Sequence, residues 1–243
     1  MKKIVITGGT GRFGNTLKKS KTKHKLFFPT KRELNILNYQ NIKKYLSKTK
    51  PNYFIHLAGL SRPMSIHDKN IFKSIDLNII GTANVTKACA EKNIKLIYFS
   101  TNYVYPGSKG NYKETDPVLP VNNYAWSKLG GETSVILYNN SLILRLSMTE
   151  RPFVHKKAFV NVKTNFMYHD DVSKILFKLL NKKGIVNIGG KSQYIFDFAK
   201  KENPEVKKIY LKKNSNVGIP FDSSINISKL KKILNKTKRI KNL

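Results

Sequence analysis

The sequence predicts an α/β fold: a doubly wound parallel sheet followed by a smaller, less regular C-terminal portion. Three observations lead there. Short β-branched runs alternate with amphipathic stretches, a glycine triad directly follows the first run, and the chain has 243 residues with 40% apolar content. Such alternation is what strands covered by helices produce. The length suits one large domain or a domain with a small appendage.

Taken in order, the strand candidates are Lys3–Thr7, Lys25–Phe28, Tyr53–Leu57, Leu96–Ser100, Ser141–Leu146 and Gly184–Ile188. Helical patterns fall at Phe13–Lys19, Tyr39–Ser47, Asn70–Glu91, Tyr124–Leu137 and Asp170–Leu180. In the third, Ile71, Ile75, Asn78, Ile79 and Thr82 recur at helical spacing and predict one face packed on the sheet. Pro106 to Asn123 holds three prolines and two glycines without periodicity and reads as a long functional loop. After Met148 the pattern loosens, and only 184–190 is expected to return to the main sheet.

A single cysteine, Cys89, excludes a disulfide scaffold or a multi-cysteine metal site and reads as a core residue. No apolar run approaches the roughly 20 residues that span a bilayer. The opening Met1-Lys2-Lys3 is basic, but glycines interrupt the apolar run before a signal segment is complete. A soluble, cytoplasmic protein is expected. The net charge of +32 suggests a polyanion partner. Its distribution argues otherwise: six of the 46 basic residues are arginine, and the lysines are dispersed except in the tail Lys229–Lys241. Arginine is the side chain suited to bidentate phosphate and base contacts, so no specific nucleic acid is expected.

Gly8, Gly11 and Gly14 sit between the first strand and the first helix. That placement allows a tight turn, close approach of backbone to a pyrophosphate, and a helix N-terminus facing the phosphates. Dinucleotide binding follows as the reading. After the second strand, Phe28-Pro29-Thr30-Lys31-Arg32-Glu33 presents Lys31 and Arg32 first, and Arg12 lies in the turn. Basic groups there accommodate a ribose 2′-phosphate, so NADP(H) is favoured over NAD(H).

Tyr124 and Lys128 are four apart, on one face of a helix. A nearby cation favours the phenolate and brings a tyrosine within reach of acid–base work. Tyr39/Lys43 and Tyr105/Lys109 share this spacing. Only Tyr124 follows both a strand ending in Ser100-Thr101 and the long loop. Thr101, at the carboxyl end of a strand, is placed to help polarise a carbonyl that Tyr124 protonates.

Together these segments resemble the extended short-chain dehydrogenase/reductases, whose core is a Rossmann fold. Within that superfamily the chain is most similar to the dTDP-4-dehydrorhamnose reductases and the epimerase/dehydratase family. The resemblance runs through Thr7–Gly14, His56-Leu57-Ala58-Gly59, Asp76–Thr82, Phe99–Gly107, Tyr112–Pro117 and Tyr124–Glu132. Weaker echoes occur at Leu144-Arg145, Tyr168–Val172, Gly184–Gly190, Ile219–Asp222 and Ile227–Leu230.

The resemblance implies NADPH-dependent reduction of a nucleotide-diphosphate 4-keto-6-deoxy sugar, within deoxysugar and polysaccharide synthesis. Tyr124 would donate the proton, Lys128 would hold the nicotinamide ribose, and Thr101 would bond the reacting oxygen. Ala58 and Gly59 would line the cofactor, with Phe13, Asn35, Ile36, Leu57 and Asn78 beside them. Arg62, Tyr103 and Arg145 would meet the substrate, although an arginine after a strand equally serves as a structural ion-pair residue. Residues 1–147 would form the cofactor-binding domain and 148–243 a small, shortened substrate-binding portion.

Asn35 stands where the family often has Asp, and Asn102 where the reductase branch has an acidic residue. Dehydratases need acidic groups there, so dehydration is not expected. The alternatives are a nucleotide-sugar epimerase with tightly held NAD and a noncatalytic cofactor-binding regulatory subunit. A homodimer is an open possibility. His169-Asp170-Asp171 mimics a metal cluster, but adjacent residues on a helix cannot all face one ion. Asp170 reads as a helix cap, His56 as a core residue, and no metal is expected.

Overall fold

In the computed structural model, residues 1–212 and 218–240 are described. The end of the basic tail, Lys241, lies outside them. The central sheet holds β1 (Lys3–Thr7), β2 (Lys25–Phe27), β3 (Tyr53–His56), β4 (Lys95–Phe99), β5 (Ser141–Leu146) and β6 (Gly184–Ile188). They lie in the order β6-β5-β4-β3-β1-β2. The pairings β1–β2, β1–β3, β3–β4 and β4–β5 are parallel. Ile4, Val5 and Ile6 are fully buried, as expected of a strand covered on both faces. The fold is Rossmann-like, and its strand sequence reverses direction at β1/β3, where open α/β sheets bind ligands.

The longer helices of this first unit are α1 (Arg12–Lys18), α2 (Tyr39–Thr49), α3 (Gly81–Glu91) and α4 (Asn123–Ile136). Asn38 caps α2 by accepting a hydrogen bond from the Asn41 N–H at 2.9 Å. Ile42, Leu46, Val85, Ala88, Cys89 and Val135 pack with Val5, Phe54, Leu96 and Tyr98 in one core.

The segment 71–91 is helical, and its predicted face is buried at Asn78 and Thr82 but not at Ile71 and Ile75. Ile71 is 55% and Ile75 38% exposed, while Ser74, Asn78 and Thr82 are buried. The cause is a π-helical stretch, Ile75–Ile80, between Ile71–Ser74 and α3. Each π turn contains more residues than an α turn, so the buried face slips out of the 3.6-residue period.

The chain forms two compact units that interleave in sequence. The first comprises Met1–Ser100, Asn123–Leu144 and Leu179–Ile185; the second comprises Thr101–Asn122, Arg145–Lys178 and Val186–Leu243. In the second, short strands pair as Met148–Thr149 with Met167–Tyr168, Lys157–Phe159 with Lys207–Ile209, and Lys163–Thr164 with Gln193–Tyr194. Phe153, Val162, Tyr168, Ile195, Phe198, Val206 and Leu211 form its own core. Helix α5 (His169–Leu179) begins at His169, so Asp170 lies in its first turn rather than capping it. Asp171 pairs with Arg151 and Lys174. Helices α6 (Ile195–Lys200) and α7 (Ser228–Ile240) complete this unit.

Candidate active site

The glycine turn closes against the segment after β3. Gly8 has φ +74, and a Cβ there would lie 2.7 Å from the Ala58 nitrogen and 2.8 Å from the Leu57 carbonyl carbon. A Cβ on Gly14 would lie 2.7 Å from the Gly9 Cα. Neither position tolerates a side chain, and the resulting bare backbone is what close approach to a phosphate requires. Gly11 precedes α1 and gives it no side-chain cap. Arg12 is exposed at this turn, whereas Phe13 is buried against Phe99 with ring centroids 5.3 Å apart.

Beyond β2, Lys31, Arg32, Asn35, Asn38 and Asn41 line an open cleft of about 560 Å³. Glu33 is the one acidic residue between Phe28 and Asn38. Its carboxylate accepts from the Thr30 N–H at 2.7 Å and the Thr30 hydroxyl at 2.9 Å, which holds it below the usual carboxylate range. The cleft is therefore cationic and amide-lined. Asn35 uses its side-chain oxygen to accept from the Leu37 N–H. Ile36 is buried beneath Gly81 of α3.

Helix α4 carries Tyr124, half-buried, and Lys128, buried one turn further on. The Lys128 ammonium lies 4.2 Å from the centre of the Tyr98 ring. Burial pulls its pKa down to about 7, and the Glu132 carboxylate one turn on opposes that shift. Glu132 is fully buried and accepts from the Ser100 hydroxyl at 2.5 Å. His56 bridges Thr7 at 2.9 Å and Thr82 at 3.2 Å. Burial, with a smaller contribution from Lys128, lowers it to about 3, so it remains a neutral core residue at physiological pH.

Asn78 links several of these elements. Its side-chain oxygen accepts from the Leu60 N–H at 2.7 Å, and its amide donates to the Leu60 carbonyl at 2.9 Å and the Ser127 hydroxyl at 2.8 Å. Ser127 in turn donates to the Tyr124 carbonyl at 2.7 Å. Asn78 thus orders both the loop through Gly59 and the backbone carrying Tyr124. Sequence reasoning missed Ser127 and Glu132, although both lie inside the Tyr124–Glu132 motif, and it missed His67 entirely.

Among the proposed substrate contacts, Arg62 is exposed in the loop after β3. Thr101 and Tyr103 belong to the second unit, where the buried Thr101 hydroxyl accepts from the Tyr103 N–H at 3.2 Å. Asn102 is buried and donates to the Ser223 carbonyl at 2.9 Å, which fits an amide rather than an acid. Arg145 is buried, donates to the Tyr105 hydroxyl at 2.9 Å, and stacks over that ring. These contacts suit the structural one of its two readings. Among the described residues no cluster of three metal-ligating side chains occurs, and no helix is long and apolar enough to cross a membrane.

A six-stranded sheet, parallel from β2 through β5, with a bare-backbone glycine turn at its β1/β3 reversal defines a protein of the Rossmann-like class. The model of the RmlD substrate binding domain family matches residues 1–175. The chain belongs to that family.

Methionine adenosyltransferase 2 subunit beta of Xenopus tropicalis is 31% identical over 148 residues, 57% of this chain and 44% of that protein. The dTDP-4-dehydrorhamnose reductase of Aggregatibacter actinomycetemcomitans is 30% identical over 154 residues, 61% and 52% of the two. The chain spans about half the length of these curated relatives. In fold it is similar to the dTDP-4-dehydrorhamnose reductase of Bacillus anthracis, solved in complex with NADP. That match has a TM-score of 0.85 at 23% identity, covering 96% of this chain and 92% of the other.

Proposed function

We propose that the protein is an NADPH-dependent reductase of a nucleotide-diphosphate 4-keto-6-deoxy sugar. The observation that carries this reading is the Tyr124/Lys128 pair on α4, with the lysine buried over Tyr98. The turn at Gly8 and Gly14 fits a dinucleotide, because its backbone is bare where a Cβ would collide. The cleft at Lys31, Arg32 and Asn35 supports a 2′-phosphate, as no carboxylate lines it. Leu57, Ala58 and Gly59 would flank the cofactor from the other side of the crevice.

A bound reduced nicotinamide supplies hydride to the keto carbon. Tyr124 donates its phenolic proton to the keto oxygen, giving the alcohol and leaving a phenolate. Lys128 holds the nicotinamide ribose and, when protonated, stabilises that phenolate. On the family resemblance, Thr101 is assigned a hydrogen bond to the same oxygen, and Arg62 and Tyr103 are assigned to the sugar nucleotide.

The test is NADPH oxidation, with NADH alongside, across a panel of nucleotide 4-keto-6-deoxy sugars. Turnover that is lost in Tyr124→Phe supports the reading; NADPH binding without reduction of any sugar overturns it. The subunit-beta relative favours a second reading, a noncatalytic regulatory subunit that binds cofactor and a partner enzyme. Dinucleotide binding with no turnover, together with altered kinetics of an added methionine adenosyltransferase, would support that one.

A further inference from the structure

His67 is fully buried next to Tyr124, yet the mechanism above does not use it. Its ring meets the Tyr124 ring edge-on, with centroids 5.2 Å apart and planes at 60°. Nδ1 is 2.7 Å from the Ser74 hydroxyl, while Nε2 is buried without a hydrogen-bond partner. A buried polar atom left unpaired is uncommon and calls for a reason. An apolar ring would fill the space without it, so simple packing does not account for an imidazole here.

The neighbouring contacts converge on the same helical turn. Asp68 accepts from the Asn123 side-chain amide at 2.7 Å, so residues 67 and 68 engage two successive positions at the start of α4. Ser74, which anchors the imidazole, lies four residues before Asn78. Asn78 holds the Tyr124 backbone through Ser127. The tyrosine is thus gripped twice from one short stretch, at the backbone by Asn78 and Ser127 and at the ring by His67 and Ser74.

We propose that His67 is a positioning residue that, anchored by Ser74, fixes the ring orientation of Tyr124. A phenol must lie along the line of proton transfer before it acts, and a ring free to pivot spends less time there. Burial lowers the His67 pKa, with Asp68 opposing and Lys128 reinforcing the shift. The proposal rests on Tyr124 as proton donor, but its central measurement does not depend on turnover.

The experiment uses full-length protein labelled with 3-fluorotyrosine, with the Tyr124 ¹⁹F resonance assigned by its loss in Tyr124→Phe. In Ser74→Ala and His67→Phe, this resonance should broaden or split while that of Tyr39, whose hydroxyl is held by Glu91, stays in place. The two effects should not add in the double variant. With a reducible sugar, kcat should fall about tenfold while KM for NADPH stays within about twofold. His67→Phe retains the ring but drops the anchor, so an unchanged resonance in both it and Ser74→Ala overturns the proposal. If the wild type reduces no sugar but the resonance still depends on His67 and Ser74, the positioning stands and the reductase reading fails.

Discussion

The two units are held by different kinds of interaction. The first is organised by contiguous patterns: β-branched strands, a glycine turn, and a motif that carries Tyr124 and Lys128 within one helix. The second is fastened by polar contacts between distant segments. Asn102 reaches Ser223, Asn187 donates to the Tyr112 carbonyl, and Tyr112 bridges to Ile225. Local periodicity describes the first well and the second poorly, because a pin between residues more than a hundred positions apart leaves no spacing to read.

The contrast can be tested from its strongest point downward. Tyr124→Phe should lower turnover by about 10²–10⁴-fold and leave NADPH binding intact, measured by stopped-flow oxidation and by titration. Equal loss of both would mean that α4 supports the fold rather than the chemistry.

Lys128→Met should abolish turnover and remove one component of the pH dependence of stability, read from denaturant unfolding across pH. The sign follows from a folded pKa of about 7 against an ordinary 10.5. Between those values the unfolded chain binds more protons, so wild-type stability rises with pH across that window. The variant should lack this rise. His56 acts in the same direction at lower pH, losing stability as pH falls from about 6.5 towards about 3.

Asn102→Asp would place a carboxylate against the Ser223 carbonyl and should cost about 1–3 kcal/mol. Proteolysis of the second unit should accelerate while NADPH affinity at the glycine turn holds. Loss of both together would erase the distinction between the units. The smallest effect is expected at the cleft: Arg32→Ser should reduce the preference for NADPH over NADH about tenfold. No change there would remove Arg32 from the cofactor reading.

Much of the fold was legible because its determinants are local. Strands β1, β5 and β6 fall where the residues predicted them, and β2, β3 and β4 differ by a residue at their ends. The glycine turn was legible for the same reason: a triad between a strand and a helix has few other uses. The face of 71–80 was legible only in part, because the π-helical stretch Ile75–Ile80 breaks the 3.6-residue period that the reading assumed. Arg145 was ambiguous as a residue type, and its hydrogen bond to Tyr105 across 40 positions left no signal in the sequence.

The sequence by itself therefore determined the α/β class, the glycine turn and the Tyr124/Lys128 pair, since each lies in a short window with its own period or backbone requirement. Tertiary structure alone decided what surrounds them. Burial against Tyr98 lowers the Lys128 pKa, and packing brings His67 against Tyr124 across 57 residues of chain. Desolvation and ring contact depend on distances through space, and no spacing along the chain encodes them.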